Sequence, residues 1–177
     1  MREHVFRAVV LSRRPRGWDV LADLLTEELG RIEALAVGGA RPLSRLAPHL
    51  DFLNLVSVRI VAKNRAVLAD AVTLDRFAPL RAERASLARG LELAALVRAL
   101  SPVAVPDARL WDHVLSSLSA RRVRLNETAR LLGYDPSGAR CTVCGGAAPS
   151  YLLTATHEFV CARCRVQVGK NAVVCIT

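Results

Sequence analysis

The residues best suited to chemistry are four cysteines near the C-terminus. Cys141-Thr142-Val143-Cys144 and Cys161-Ala162-Arg163-Cys164 are two CxxC pairs separated by residues 145–160. Each CxxC turns back as a tight knuckle that aims two sulfurs at one point. Two knuckles together supply the four thiolates that Zn²⁺ takes in a tetrahedron. Gly145 and Gly146 follow the first pair, where such a knuckle needs positive φ and close backbone approach. Two disulfides, or four unrelated thiols, are the other readings. A disulfide inside a CxxC suits a redox enzyme, but the doubled motif and the lack of a thioredoxin-like βαβ pattern favour metal. With four protein thiolates no position stays open for water, so the zinc expected at Cys141, Cys144, Cys161 and Cys164 is structural. His157 lies between the pairs and reads as a surface or packing residue. Cys175, the odd cysteine, reads as a small buried hydrophobe or a spare thiol.

Polyanion binding is the second chemistry on offer. The 177 residues carry 25 Lys and Arg against 16 Asp and Glu, a formal net charge of +9. Lysine occurs only at Lys63 and Lys170, so nearly all of the positive charge is arginine. Arginine grips phosphate bidentately and stacks on bases, although a skewed genomic base composition produces the same bias. Arg13, Arg14 and Arg16 precede Trp18, Arg41 lies near Arg45, and Arg121, Arg122 and Arg124 cluster further on. A single-strand-binding surface combines cations that track the backbone with an aromatic on which bases stack, and Trp18 beside three arginines fits that pattern. The plainer alternatives are a core Trp18, solvated basic loops and, for Arg121, Arg122 and Arg124, a solvated helix face. Catalysis is not expected. The four histidines are scattered, and no Gly-rich phosphate loop or Ser/His/Asp motif stands out. Asp19 and Asp23 share a strand face at most and read as solvated.

The elements that must position these residues fall into two blocks. Val5–Leu11, closed by a Pro15-Arg16-Gly17 turn, reads as a strand. Trp18–Glu27, Gly30–Val37, Leu55–Val61 and Ala66–Val72 follow it, the last two joined by a Lys63-Asn64-Arg65 turn. Val56, Val58 and Ile60 alternate cleanly with Ser57 and Arg59. Five short strands over residues 1–78 make a small barrel or sandwich, with a long basic connection from Gly38 to Leu46. From Pro79 the pattern turns helical. Leu93, Leu96, Val97 and Leu100 recur at helical spacing before Pro102. Asp107 is the N-cap of a second helix that buries Leu110, Val114, Leu115 and Leu118. A third helix runs from about Arg122 to Leu132 and stops at Gly133 in the C′ position. The class is therefore α+β: a barrel at 1–78, then a small helical domain at 79–177 carrying the knuckle at 141–164. Val166–Val168 and Ala172–Val174 are long enough only to add a strand or pack under the knuckle. No apolar run reaches the eighteen or so residues of a membrane span, and the N-terminus lacks the apolar core of a secretory signal. Five cysteines without such a signal point to a reducing cytoplasm.

Several stretches resemble the RecO family of bacterial recombination mediators. They are Ala8-Val9-Val10-Leu11 with Arg14-Pro15, then Leu24-Leu25-Thr26-Glu27-Glu28-Leu29-Gly30-Arg31. Gly39-Ala40-Arg41 with Ser44-Arg45 comes next, and Arg130-Leu131-Leu132-Gly133-Tyr134 leads into Cys141-Thr142-Val143-Cys144-Gly145. The resemblance implies that the N-terminal barrel is an oligonucleotide-binding (OB) fold and that the zinc ligands are the four cysteines named. It implies a cytoplasmic, nucleoid-associated protein that binds single- and double-stranded DNA and anneals complementary strands. Its partners would be RecR, with which it loads RecA, and single-strand-binding protein; it has no catalytic residues. Arg41 and Arg45 take the place of the family's basic loop, and Gly38 stands where members usually carry Lys. The chain reads as a shortened member. A protein-interaction adaptor of the same machinery that does not bind DNA is the alternative function, and an RNA-binding zinc protein is a further one.

Overall fold

In the computed structural model, residues 2–62, 65–147, 149–168 and 173–176 are described. Lys63, Asn64, Lys170 and Ala172, named above, lie outside them. The strands are β1 (Arg2–Arg16), β2 (Asp19–Thr26), β3 (Gly30–Ala36), β4 (Leu55–Ala62) and β5 (Ala66–Asp75). They close into a barrel in the order β1-β2-β3-β5-β4. Pairing is antiparallel except where β3 meets β5 in parallel at Leu35 and Val67. This is the OB-fold barrel. Its interior is narrow because much of it is alanine: Ala8, Ala22, Ala34, Ala36 and Ala71 pack among Phe6, Leu24, Val56, Val58, Ile60 and Leu68.

β1 extends further than the expected turn at Pro15 allows. It pairs with β2 as far as Arg16, and the turn is Gly17-Trp18, with Gly17 at φ +64°. Pro15 is tolerated because β4 pairs with β1 only as far as Val9, which leaves the rest of β1 on an edge where no ladder needs the missing N–H. Arg13, Arg14 and Arg16 thus sit on a strand arm and not in a loop. A register shift between Val10 and Ser12 sends Val10 into the barrel and Val9 and Leu11 outward.

The outward face is covered by helices α1 (Ala78–Arg81), α2 (Arg84–Leu100), α3 (Ala108–Ala120) and α4 (Leu125–Leu131). Val9, Leu11 and Leu25 share one core with Leu93, Leu96, Val97, Trp111, Val114 and Leu118. Asp107 caps α3 by accepting from the Leu110 N–H at 3.1 Å. Gly133, at φ +89°, follows α4. The third helix starts later than expected. Arg121 adopts the left-handed conformation (φ 56°) and closes α3, which leaves Arg122–Arg124 as the loop into α4. Near the C-terminus β6 (Tyr151–Leu153), β7 (Glu158–Val160) and β8 (Val173–Cys175) form a sheet in the order β7-β6-β8. Val174 and Ile176 enter the main core, and Cys175 is half-buried between them. Residues 166–167 belong to a 3₁₀ turn over Cys164–Gln167, not to a strand. No helix among the described residues is long and apolar enough to cross a membrane.

Barrel and helices are fastened at the β2–β3 turn. Gly30 has φ +68°, and a Cβ there would lie 1.9 Å from the Val105 carbonyl oxygen. Ala104 N–H donates to the Arg31 carbonyl at 2.7 Å, and Arg31 Nε donates to the Ser101 carbonyl at 3.1 Å. Asp23 is not solvated as expected from sequence. It is fully buried, and it accepts from Arg31 at 3.2 Å, Ser12 Oγ at 2.6 Å and Arg14 at 3.4 Å. An outward position on β2 becomes interior there as Ser12, Arg14 and Arg31 gather on its carboxylate. Thr26 Oγ1 completes the turn, donating to the Gly30 carbonyl and accepting from Leu29 N–H.

Gly30→Ala combines left-handed strain with a backbone clash, so urea unfolding is expected to show a loss of about 3 kcal/mol. Gly17→Ala carries the strain alone, with no atom within 4 Å of the added carbon, and is expected to lose about 1 kcal/mol. Asp23→Asn leaves Arg31 without its buried counter-charge and is expected to cost about 2 kcal/mol in the same measurement.

Candidate metal centre and nucleic-acid interface

The first knuckle closes when Gly145 N–H donates to the Cys141 carbonyl at 2.8 Å, with Gly145 at φ +70°. A Cβ on Gly146 would come within 3.4 Å of Cys144 Sγ. The second closes when Arg165 N–H donates to the Cys161 carbonyl at 3.0 Å. Thr142 N–H reaches the Phe159 carbonyl at 2.9 Å and joins the two halves over Leu153 and Val160.

The four sulfurs all lie within 4.8 Å of one another, and Cys144 and Cys161 Sγ are 3.9 Å apart. A Zn–S length of about 2.3 Å gives a tetrahedron with edges of about 3.8 Å, so the donor set fits a four-thiolate site. Backbone N–H donation from Cys161 lowers the Cys141 thiol to about 6, and donation from Cys164 lowers Cys161. Hydrogen bonding with the Cys144 side chain, together with burial, raises Cys164 to about 12. Four sulfurs this close cannot all ionise unless a cation offsets their repulsion. His157 stands outside the cluster. It is exposed, with Nδ1 2.6 Å from Tyr134 Oη and the two rings edge-on at 5.2 Å, which ties the knuckle to the end of α4.

The arginines separate into those with acidic neighbours and those without. Arg14 pairs with Glu33 at 2.6 Å as well as with Asp23. Arg13 lies 3.9 Å from Asp51 and over the Phe52 ring. Arg16, Arg41 and Arg45 make no ion pair among the described residues. The basic connection after β3 folds back on the β1–β2 turn. Ala40 N–H donates to the Trp18 carbonyl at 2.9 Å, and Gly38 N–H, at φ +66°, donates to Asp19 Oδ1 at 2.7 Å. Gly38 is therefore a turn residue whose conformation disfavours any side chain. The fold-back brings Trp18, Arg41 and Arg45 around one open cavity of about 770 Å³. Trp18 is 65% exposed and is not a core residue.

Arg121 and Arg122 line a second cavity, of about 340 Å³, with Arg89 and Arg124. Arg124 pairs with Glu127 and Arg89 with Glu92, whereas Arg121 and Arg122 make no ion pair among the described residues. Arg89, from α2, was not singled out from the sequence, since nothing local to it marks the approach of a loop more than thirty residues away. The apolar wall of the first cavity, Val37 and Leu43, was missed too; the Gly38-Gly39 pair beside it was the available signal.

The profile of the family described as Recombination protein O N terminal matches residues 1–72. The DNA repair protein RecO of Rhodopirellula baltica is 29% identical over 164 residues, covering 82% of this chain and 61% of that protein. Its counterpart in Roseiflexus sp. is 30% identical over 173 residues, covering 90% and 59%. That of Pelotomaculum thermopropionicum is 30% identical over 171 residues, covering 89% and 66%. The chain spans about three fifths of the length of the first two curated relatives. These relatives match over 82–90% of this chain, and the chain belongs to the RecO family.

Proposed function

We propose that this chain is a non-catalytic DNA-binding protein of recombinational repair that anneals complementary strands at the nucleoid. The observation that carries the reading is the convergence of Trp18, Arg41 and Arg45 on one open cavity of an OB barrel. Two arginines without acidic partners, on a chain of net charge +9, attract phosphate irrespective of sequence. Arg16, Arg121 and Arg122 are further arginines without an ion pair among the described residues, while Arg13 and Arg14 are partly neutralised by acids. A surface that holds two strands loosely lowers their mutual repulsion, which is what annealing requires of a protein. The same surface accepts single- and double-stranded DNA, since both present phosphates. The names of the relatives place them in DNA repair. By the same kinship this chain works with RecR to load RecA on DNA covered by single-strand-binding protein.

One Zn²⁺ held by Cys141, Cys144, Cys161 and Cys164 supplies structure to the knuckle, where it replaces the hydrophobic core that so small a unit lacks. The metal binds thiolates, against protons that compete for the sulfurs from the ordinary thiol range downwards. Its contribution is full above that range, near 8.5, and is lost as pH falls and protons displace it.

Fluorescence anisotropy of a labelled single strand across a salt series tests the DNA reading. The wild-type chain is expected to bind with an affinity that falls steeply with salt. Arg41→Ala with Arg45→Ala is expected to weaken binding about tenfold on every sequence and make the log–log salt slope shallower by about 1.4. An unchanged slope counts against these two residues. Salt-independent capture of RecR with no DNA binding replaces the reading with that of an adaptor. Metal analysis is expected to give one zinc per chain, retained at pH 8, released towards pH 5 and reduced in Cys161→Ser, with a lower melting temperature after chelation. A zinc-free protein with an unchanged melt contradicts the assignment.

A further inference from the structure

We propose that the cavity beside Trp18 takes one unpaired nucleobase, and so gives the barrel a preference for single strands over duplex; this rests on the DNA reading above. The chain has two tryptophans, and they are treated in opposite ways. Trp111 is 2% exposed in the shared core, with Arg7 over its ring, whereas Trp18 is 65% exposed and makes no ring or cation contact among the described residues. Arg41 lines the same cavity without lying over that ring, so a face of the indole is left open.

The base of the ring is nevertheless fixed. The Trp18 carbonyl accepts from Ala40 N–H, and the neighbouring Asp19 carboxylate accepts from Gly38 N–H. An exposed aromatic on an anchored backbone loses little conformational freedom when a ligand stacks on it. Other lining residues are apolar as well. Val37 is 61% exposed and Leu43 is 95% exposed, and Pro42 and Leu46 line the cavity beside them. At about 770 Å³ the cavity is of ligand size, and among the described residues its charged lining is Arg41 and Arg45.

A ligand matching this arrangement has a flat apolar face and negative charge beside it. A nucleotide within a single strand has both. Its base is free to leave the stack, and its flanking phosphates reach the arginines. A duplex keeps its bases paired inside and presents phosphates alone, so it engages Arg41 and Arg45 without the ring. Stacking reads no sequence, because every base has a π-face.

The test compares binding of an intact single strand, a strand of the same length with abasic sugars throughout, and a duplex. It uses the full-length wild-type chain, Trp18→Ala and Trp18→Phe. The wild type is expected to bind the intact strand about tenfold more tightly than the abasic one. Trp18→Ala is expected to abolish that difference while leaving abasic and duplex binding and the salt slope unchanged, and Trp18→Phe to retain most of it. Tryptophan emission is expected to be quenched by the intact strand only, and to be unresponsive in Trp18→Phe, where Trp111 alone emits. Equal wild-type affinity for intact and abasic strands overturns the proposal and leaves the phosphate reading standing. Equal losses in Trp18→Ala on both strands also overturn it, since the ring would then only hold the loop. Absence of wild-type binding to any of the three at low salt defeats the DNA reading itself, and this proposal with it.

Discussion

The structure depends on one buried carboxylate and the bare backbone beside it. Asp23 sits on the outer wall of the barrel, where a charge would ordinarily face water, yet it is fully buried. Three donors from Ser12, Arg14 and Arg31 make this burial tolerable, and Arg31 extends past it to the Ser101 carbonyl at the end of α2. Taking a carboxylate out of water is costly, and removing any partner leaves that cost uncompensated. Gly30 allows the approach, since any side chain there would meet the Val105 carbonyl. The β2–β3 hairpin is therefore pinned to the helices at its Thr26–Gly30 end. Its other end, roughly 20 Å along the strands, carries Trp18 and the turn onto which Arg41 and Arg45 fold. One end of the hairpin serves assembly and leaves the other free to meet a ligand.

Features governed by local chemistry were legible in the sequence. The alternation of Val56, Val58 and Ile60 set the inward face of β4, Asp107 capped α3, Gly133 followed α4, and the spacing of the four cysteines placed their sulfurs together. Features set by distant neighbours were not. Arg13, Arg14 and Arg16 read as a loop because Pro15 suggests a turn, and only the early end of the β4 pairing explains why the strand runs on. Asp23 read as solvated because nothing near it in sequence reveals that the α2–α3 connection arrives from some eighty residues away. Arg121 looked helical, but its left-handed backbone closes α3 and turns the next arginines into a loop.

The motifs that carry the family likeness are largely those that build the frame. Thr26, Gly30 and Arg31 make the fastening turn, and Tyr134 braces the knuckle through His157. The cationic surface is distributed differently. Arginines next to Asp23, Glu33 or Asp51 are partly neutralised, whereas Arg41 and Arg45 at the first cavity and Arg121 and Arg122 at the second make no ion pair among the described residues. Such exposed charges contribute little to stability in water and stay available to a polyanion.

The most direct test of the central claim is the rate at which two complementary strands, one carrying a fluorophore and the other a quencher, anneal in the presence of the zinc-loaded chain. Loosely held strands on a cationic surface should pair much faster than they do alone, with the acceleration fading as salt rises. Strands that bind the protein yet anneal no faster than in its absence, at any salt concentration, would contradict it.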